Sequence, residues 1–132
     1  MTRINAGIPV SELTTKHLIA EHREIKRVCH RLSERIKSDK FSDIPTPFHI
    51  VKPNGVIAFK ELFWLDKGKY TYLRYLQLYE ECKKRGFNVT NYGGNWGVYY
   101  NKAEYWNDYE PTAEQVQMIR DRISERLMKP LL

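Results

Sequence analysis

The first long stretch of helical periodicity lies in the N-terminal third of the chain. Its apolar residues recur at steps of seven, four, three and four, which predicts a helix from Thr14 or Thr15 to about Lys37. Either threonine can cap the start of this helix. The predicted buried stripe consists of Leu18, Ile25, Cys29, Leu32 and Ile36.

Two further helices are predicted downstream. One spans about Tyr70 to Arg85, where basic residues and then Gly86 form a strong stop signal. The other starts at Pro111-Thr112, because Thr112 and Gln115 have the spacing of a capping box. Its predicted buried residues are Val116, Ile119, Ile123 and Leu127.

The remaining segments lack helical periodicity. The first ten residues, which include Gly7 and Pro9, are expected to be extended, and residues 38–50 irregular. A short hairpin is plausible around the turn Pro53-Asn54-Gly55, and residues 89–109 should form a long ordered loop. We therefore expect a mostly α fold, with residues 1–132 as a single compact domain of three main helices.

The net charge of the chain limits the kinds of partner that it is expected to bind. Its 132 residues contain 22 Lys and Arg against 16 Asp and Glu, a formal net charge of +6. This balance favours a polyanionic partner, nucleic acid first and an anionic membrane surface second. No apolar run approaches a membrane span, and the start lacks a secretory signal. Cys29 and Cys82 are expected as buried thiols, so we expect an intracellular, cytoplasmic protein.

One face of the first helix combines a carboxylate with basic residues. His17, Glu24 and Arg31 recur every seven residues, with Arg23 and Arg27 close by. Such residues usually form solvated surface pairs. On a face that borders the core, they would instead suit a phosphate-lined site with one acid/base group.

Metal and nucleotide-cofactor motifs are not found in the sequence. The four histidines lack metal-ligand spacing, no cysteine pair lies two or three residues apart, and no Gly-rich phosphate loop is present. We therefore expect neither a metal nor another cofactor.

Several sequence blocks occur together in a recognisable order. They are Met1-Thr2-Arg3-Ile4-Asn5, Ser11-Glu12-Leu13, His17-Leu18, Ala20-Glu21-His22-Arg23-Glu24, Arg27-Val28, Asp66-Lys67, residues 81–88, Asp108-Tyr109-Glu110-Pro111 and residues 122–126. In this order the blocks resemble the phage endonuclease V-type pyrimidine-dimer DNA glycosylases along nearly the whole chain. The terminal Thr2-Arg3 and the Arg23-Glu24 pair are the most specific matches.

The resemblance implies a catalytic mechanism. Removal of Met1 would free the α-amine of Thr2, which would attack the sugar of a damaged nucleotide and form a Schiff base. Glu24 would stabilise the developing positive charge and assist proton transfer. Neighbouring arginines should lower the pKa of the amine, because like charges disfavour protonation. The expected activity is glycosylase plus abasic-site lyase on UV-induced pyrimidine dimers, acting on double-stranded damaged DNA without a metal, a cofactor or a membrane.

The resemblance also implies the residues that line the DNA. They are Arg3, His17, Arg23, Arg27, Arg122 and Arg126. The chain departs from the family pattern at His22, where relatives usually have Tyr, and in the hairpin at Gly55-Val56-Ile57, where relatives have Gly-His-Val. These departures bear on lesion specificity and leave the catalytic group intact.

Two alternatives remain open at this point. The protein could be a lyase or glycosylase for another damaged or modified base, or a non-catalytic DNA-binding protein of the same fold. The aromatic residues of the loop 92–106 could complete the core or stack on bases. A monomer is expected from the size of the chain and from the absence of a long apolar seam.

Overall fold

The computed structural model describes residues 4–38 and 46–128. The described residues contain α1 (Thr15–Glu24), α2 (Arg27–Ser38), β1 (His49–Val51), β2 (Ile57–Phe59), α3 (Gly68–Lys84) and α4 (Ala113–Met128). They also contain four 3₁₀ helices, at Val10–Glu12 before α1 and at Glu61–Trp64, Gly93–Asn101 and Ala103–Tyr105 between later elements. The expected mostly α fold is confirmed.

The first predicted helix is two helices. Backbone hydrogen bonding changes at Ile25 and Lys26, where the amides of Val28 and Cys29 bond three residues back instead of four. No Gly or Pro marks this break, so the periodicity of the sequence continues through it. The count of three main helices was therefore one too low for the described residues, and α1 ends at Glu24.

The other helix ends follow their sequence signals. The amides of Gly86 and Phe87 bond the carbonyls of Lys83 and Cys82, and Gly86 has a φ of 88°, which together form a Schellman stop after α3. Before α4, the Thr112 amide donates to Gln115 Oε1 and the Gln115 amide to Thr112 Oγ1, both at 3.1 Å. The predicted capping box is thus confirmed.

The predicted hairpin is also present. β1 and β2 pair antiparallel, with His49 opposite Phe59 and Val51 opposite Ile57. The turn includes Gly55 at a φ of 82°. Irregular structure was predicted for residues 38–50. Of these, residues 39–45, which include Pro45, lie outside the described residues.

The N-terminal segment is part of the interior. Ile4, Ala6 and Ile8 are buried, and the segment turns at Ala6-Gly7 instead of remaining extended. Gly7 has a φ of 78°, and a Cβ on it would lie 2.5 Å from Val116 Cγ2 of α4. Only glycine permits both this conformation and this approach. The segment is therefore held against α4 at Gly7.

The core is formed where α1 packs on α3 and where α2 packs on the long 3₁₀ helix at Gly93–Asn101. Cys29 and Cys82 are buried free thiols, as predicted, and burial raises the pKa of Cys29 to about 12. Two predicted core positions at helix ends are wrong, because Ile36 and Leu127 are exposed. Each lies in the last turn of its helix.

Candidate active site

One face of α1 carries polar residues, of which His17 and Glu21 lie against the N-terminal segment and α4. His17, Glu21 and Glu24 are spaced at i, i+4 and i+7, which aligns them along one side of the helix. The helix starts where the His17 amide donates to Thr14 Oγ1 at 3.2 Å. This cap fixes the first turn and therefore the position of His17.

A small cavity lies between this face and α4. Its volume is about 20 Å³, room for roughly one water molecule. The lining residues are Asn5, His17, Ala20, Glu21, Arg122, Ile123 and Arg126. The cavity therefore brings together three of the residues expected to line the DNA, namely His17, Arg122 and Arg126. His17 and Arg122 are 105 positions apart in the sequence.

A buried hydrogen-bonded network forms the floor of this cavity. Arg74 of α3 donates to both oxygens of Glu21, at 2.8 and 3.0 Å, and to the carbonyl of Ile8 at 2.6 Å. Asn5 Nδ2 donates to Glu21 Oε1 at 2.8 Å, and Arg122 donates to Asn5 Oδ1 at 3.1 Å. The network thus joins α1, α3 and α4 to the N-terminal segment.

The charges of this network stabilise each other. Burial alone would lower the pKa of Arg74, but the adjacent Glu21 carboxylate outweighs it and raises that pKa above its ordinary value. Asn5, Glu21 and Arg74 are each at most 5% exposed. Such a pair is rigid and fully hydrogen-bonded, so it can hold the N-terminal segment in one position.

Glu24 lies one turn beyond Glu21, at the last position of α1. Its Oε2 is buried, and no described residue donates a hydrogen bond to it. A buried carboxylate oxygen without a donor is unfavourable, and such groups are uncommon in folded proteins. Glu24 therefore carries a buried carboxylate oxygen that no described residue satisfies.

The remaining arginines of this region divide into two groups. Arg23 and Arg27 are exposed and lie on either side of the break between α1 and α2. Arg31 was expected on the same face as Glu24, but its guanidinium lies 3.6 Å from Glu61. It therefore belongs to a separate ion pair. Thr2 and Arg3, the expected nucleophile and a DNA contact, lie outside the described residues.

A wider groove lies on the other side of the α4 arginines. It has a volume of about 450 Å³ between the hairpin and α4, and both Arg122 and Arg126 contribute to its lining. The guanidinium of Arg122 lies 4.5 Å from the centre of the Phe59 ring. The two arginines therefore stand between the small cavity and the groove.

The aromatic loop mostly completes the core. Trp96 and Tyr99 are buried, and they donate hydrogen bonds to Thr71 Oγ1 and to the carbonyl of Leu65, respectively. Tyr100, by contrast, is 88% exposed beside an apolar pocket of about 370 Å³ that Trp96 and Trp106 also line. The core role is thus confirmed for Trp96 and Tyr99.

Sequence reasoning missed three members of the site. Asn5, Glu21 and Arg74 form the buried network, yet Glu21 and Arg74 are 53 residues apart. The spacing of Glu21 three residues before Glu24 was a usable signal, because it places both carboxylates on one face. Nothing local in the sequence indicates that Arg74 is buried.

Neither a metal-binding cluster nor a membrane-spanning helix is found among the described residues. No cluster of three or more His, Cys, Asp or Glu side chains there could hold a metal ion. No helix within residues 4–38 and 46–128 has both the length and the apolar character of a membrane span.

A comparison with known families identifies the family of this chain. A family model described as pyrimidine dimer DNA glycosylase matches residues 1–92. The match includes Asn5, His17, Glu21, Glu24 and Arg74, while α4 lies beyond it. A match over 92 of 132 residues shows the family, and the family implies DNA as the substrate. The chain therefore belongs to the pyrimidine dimer DNA glycosylase family and is a DNA repair glycosylase.

Proposed function

We propose that this glycosylase excises UV-induced pyrimidine dimers and then cleaves the strand as an abasic-site lyase, with the α-amine of Thr2 as nucleophile and Glu24 as the acid/base group. The observation that carries the proposal is the buried Oε2 of Glu24, to which no described residue donates a hydrogen bond, about one helical turn beyond the Asn5–Glu21 contact. A cationic intermediate at this position would give that oxygen a favourable partner.

Chain length supports the placement of the nucleophile. Asn5 is fixed to Glu21, and three extended residues span at most about 10 Å. Glu24 lies three residues after Glu21, about 4.5 Å further along the helix axis. An amine at position 2 therefore has the reach to act beside Glu24.

An α-amine suits nucleophilic attack near neutral pH. Its ordinary pKa is about 7.8, so on the order of 15% is neutral at pH 7, against under about 0.1% for a lysine. The amine nitrogen attacks C1′ of the damaged nucleotide, and the glycosidic bond breaks with its electron pair going to the base, which takes up a proton. Opening of the sugar ring then gives the Schiff base.

Glu24 serves both stages of this reaction. Its carboxylate stabilises the positive charge that develops at C1′ and carries protons to and from the sugar. Loss of a C2′ proton from the Schiff base expels the 3′ phosphate and nicks the strand. Water then releases the sugar fragment and regenerates the amine.

Basic residues around the two carboxylates would hold the DNA. We assign backbone contacts to Arg3, His17, Arg23, Arg27, Arg122 and Arg126. Support comes from the exposure of Arg23 and Arg27 and from the convergence of His17, Arg122 and Arg126 on one cavity. Arginines fix a phosphate backbone through paired N–H donors and carry little sequence information.

Borohydride trapping tests the proposal. A duplex that contains a defined cyclobutane dimer should yield a covalent protein–DNA adduct, and intact-mass analysis of the free protein should show that Met1 is absent. Trapping with abasic DNA but not with dimer DNA would assign another lesion. No adduct with either substrate, from protein whose Met1 is removed, would leave only the non-catalytic alternative.

A further inference from the structure

The hairpin exposes an unusual amount of aliphatic surface for so small an element. The exposed fractions are 41% for Ile50, 63% for Val51, 51% for Val56 and 45% for Ile57. Strand alternation places Ile57 and Phe59 on one face, while Ile50, opposite Ala58, lies on the other. Contiguous exposed apolar side chains commonly mark an interaction surface.

The Ile57 face continues directly into the proposed DNA site. Val56, Ile57 and Phe59 line the groove whose opposite wall is α4 with Arg122 and Arg126. The Arg122 guanidinium packs on the Phe59 ring. The apolar surface and the arginines are therefore two sides of one recess.

The charge of the groove indicates which part of DNA could enter it. Asp121 and Glu125 lie on the α4 wall together with the two arginines. These carboxylates repel phosphate, so the groove is suited to bases and sugar, while the backbone remains at its arginine-lined margin. An uncharged, flat group such as an unstacked base matches this combination.

We propose that Val56 and Ile57 form an apolar wedge that enters the base stack beside the lesion while Arg122 and Arg126 hold the adjacent backbone. The proposal rests on the proposed function for the position of the DNA backbone. Enzymes that act on a nucleotide inside a duplex must expose it, at a cost of a few kcal/mol per unstacked step. Aliphatic side chains that fill the opened step recover part of that cost by leaving water.

The test uses the full-length protein and a duplex with 2-aminopurine next to a reduced abasic-site analogue. The wild type should increase 2-aminopurine fluorescence several-fold, and the double substitution Val56→Ser/Ile57→Ser should lose at least four-fifths of that increase. Ile50→Ser is the matched control, because it removes a similarly exposed aliphatic side chain that lies on the face opposite Ile57 and outside the groove lining, and it should keep the signal. Ile57→Thr, which retains strand preference, should give an intermediate loss.

Several outcomes would overturn the wedge. They are an unchanged fluorescence increase in the double variant, or an equal loss in Ile50→Ser. Loss of self-association in the double variant, with fluorescence unchanged, would instead assign the surface to a second copy of the chain. Borohydride trapping on single-stranded abasic DNA requires no unstacking, so the yield of the covalent adduct should be the same in all variants. If the wild type gives no adduct with this substrate, the proposed function is rejected and not the wedge.

Discussion

Glu24 is the proposed acid/base residue, and its carboxylate oxygen Oε2 lies in an unfavourable environment. Its Oε2 is buried and lacks a donor among the described residues, so this oxygen loses hydration without compensation. A group that the fold leaves unsatisfied is a common sign of a functional position. The same feature makes the consequences of substitution unusual, because activity and stability should respond in opposite directions.

Glu24→Gln should abolish turnover without weakening the fold. We expect strand cleavage to fall by at least about 10²-fold, because general acid–base catalysis contributes on the order of 10²–10⁴. Affinity for dimer DNA should remain within about threefold. The melting temperature should stay equal or rise, since a neutral amide costs less to bury than a carboxylate. Cleavage assays, binding titrations and thermal unfolding give the three readouts.

Glu12→Gln is the control for this substitution. Glu12 pairs with Arg120 at 2.9 Å on an exposed surface, and such pairs contribute about 0–1 kcal/mol. Cleavage by Glu12→Gln should match that of the wild type. Normal turnover in Glu24→Gln would remove Glu24 from the mechanism, and a large drop in melting temperature would mean that the carboxylate is structural.

At the scale of elements, the Glu21–Arg74 pair joins α1 to α3 and anchors the N-terminal segment. Glu21→Gln removes one charge and leaves the Arg74 guanidinium buried without its carboxylate. Breaking a buried pair in this way typically costs about 3–5 kcal/mol, so denaturant unfolding should detect a loss of that size. Arg120→Gln, which breaks the exposed Glu12 pair, should cost less than about 1 kcal/mol. Equal losses in the two variants would contradict the structural role of the buried pair.

His22 links α1 to α3 and to the loop after α3. Its ring packs against Tyr75, Tyr79 and Tyr92, and Tyr75 Oη lies 3.3 Å from Nε2. The pKa of His22 is lowered by burial first and by the nearby Lys26 second, while a hydrogen bond with the Thr90 backbone opposes both. The folded protein therefore holds this ring neutral at pH values where the unfolded chain protonates it.

This shift predicts a loss of stability on acidification. As pH falls below about 6.5, the unfolded state binds a proton that the folded state does not, so the free energy of unfolding decreases until the lowered pKa is reached. His22→Phe should remove this component and flatten the profile between pH 7 and pH 5. Parallel profiles for wild type and His22→Phe would contradict the prediction.

The elements that the sequence predicted well are those with local signals. The capping box of Thr112 and Gln115, the Gly86 stop and the Asn54-Gly55 turn each depend on residues within a few positions of each other. The break after Glu24 has no such signal, because Ile25 and Lys26 are compatible with a continuous helix. Its position depends on tertiary packing, and for the same reason the partner of Arg31 could not be foreseen.

For the molecule as a whole, long-range contacts decide how much of the site is predictable. The spacing on α1 and on α4 correctly placed pairs of residues on common helix faces, but spacing alone does not bring two helices together. The cavity exists because Gly7 lets the N-terminal segment approach α4 and because Asn5 bridges Glu21 to Arg122. The Gly7–Val116 and Asn5–Arg122 contacts each join residues more than 100 positions apart, so the family pattern carried that part of the prediction.

The chain has a net charge of +6. The salt dependence of DNA binding can identify which of its basic residues contact phosphates. Each phosphate contact contributes about 0.9 to the slope of log K against log salt for duplex DNA. Arg126→Gln should reduce that slope by about 1 and weaken binding to damaged and undamaged duplexes alike, because a backbone contact carries no sequence information. Arg120→Gln changes the net charge equally on the same helix, but its side chain pairs with Glu12 away from the cavity lining. It should leave the slope unchanged. The slopes are measured by fluorescence anisotropy between 50 and 200 mM salt, about the range where such contacts separate clearly. Equal slopes for the two variants would mean that the DNA does not contact the Arg126 side of α4. That result would contradict the proposed arrangement of the site.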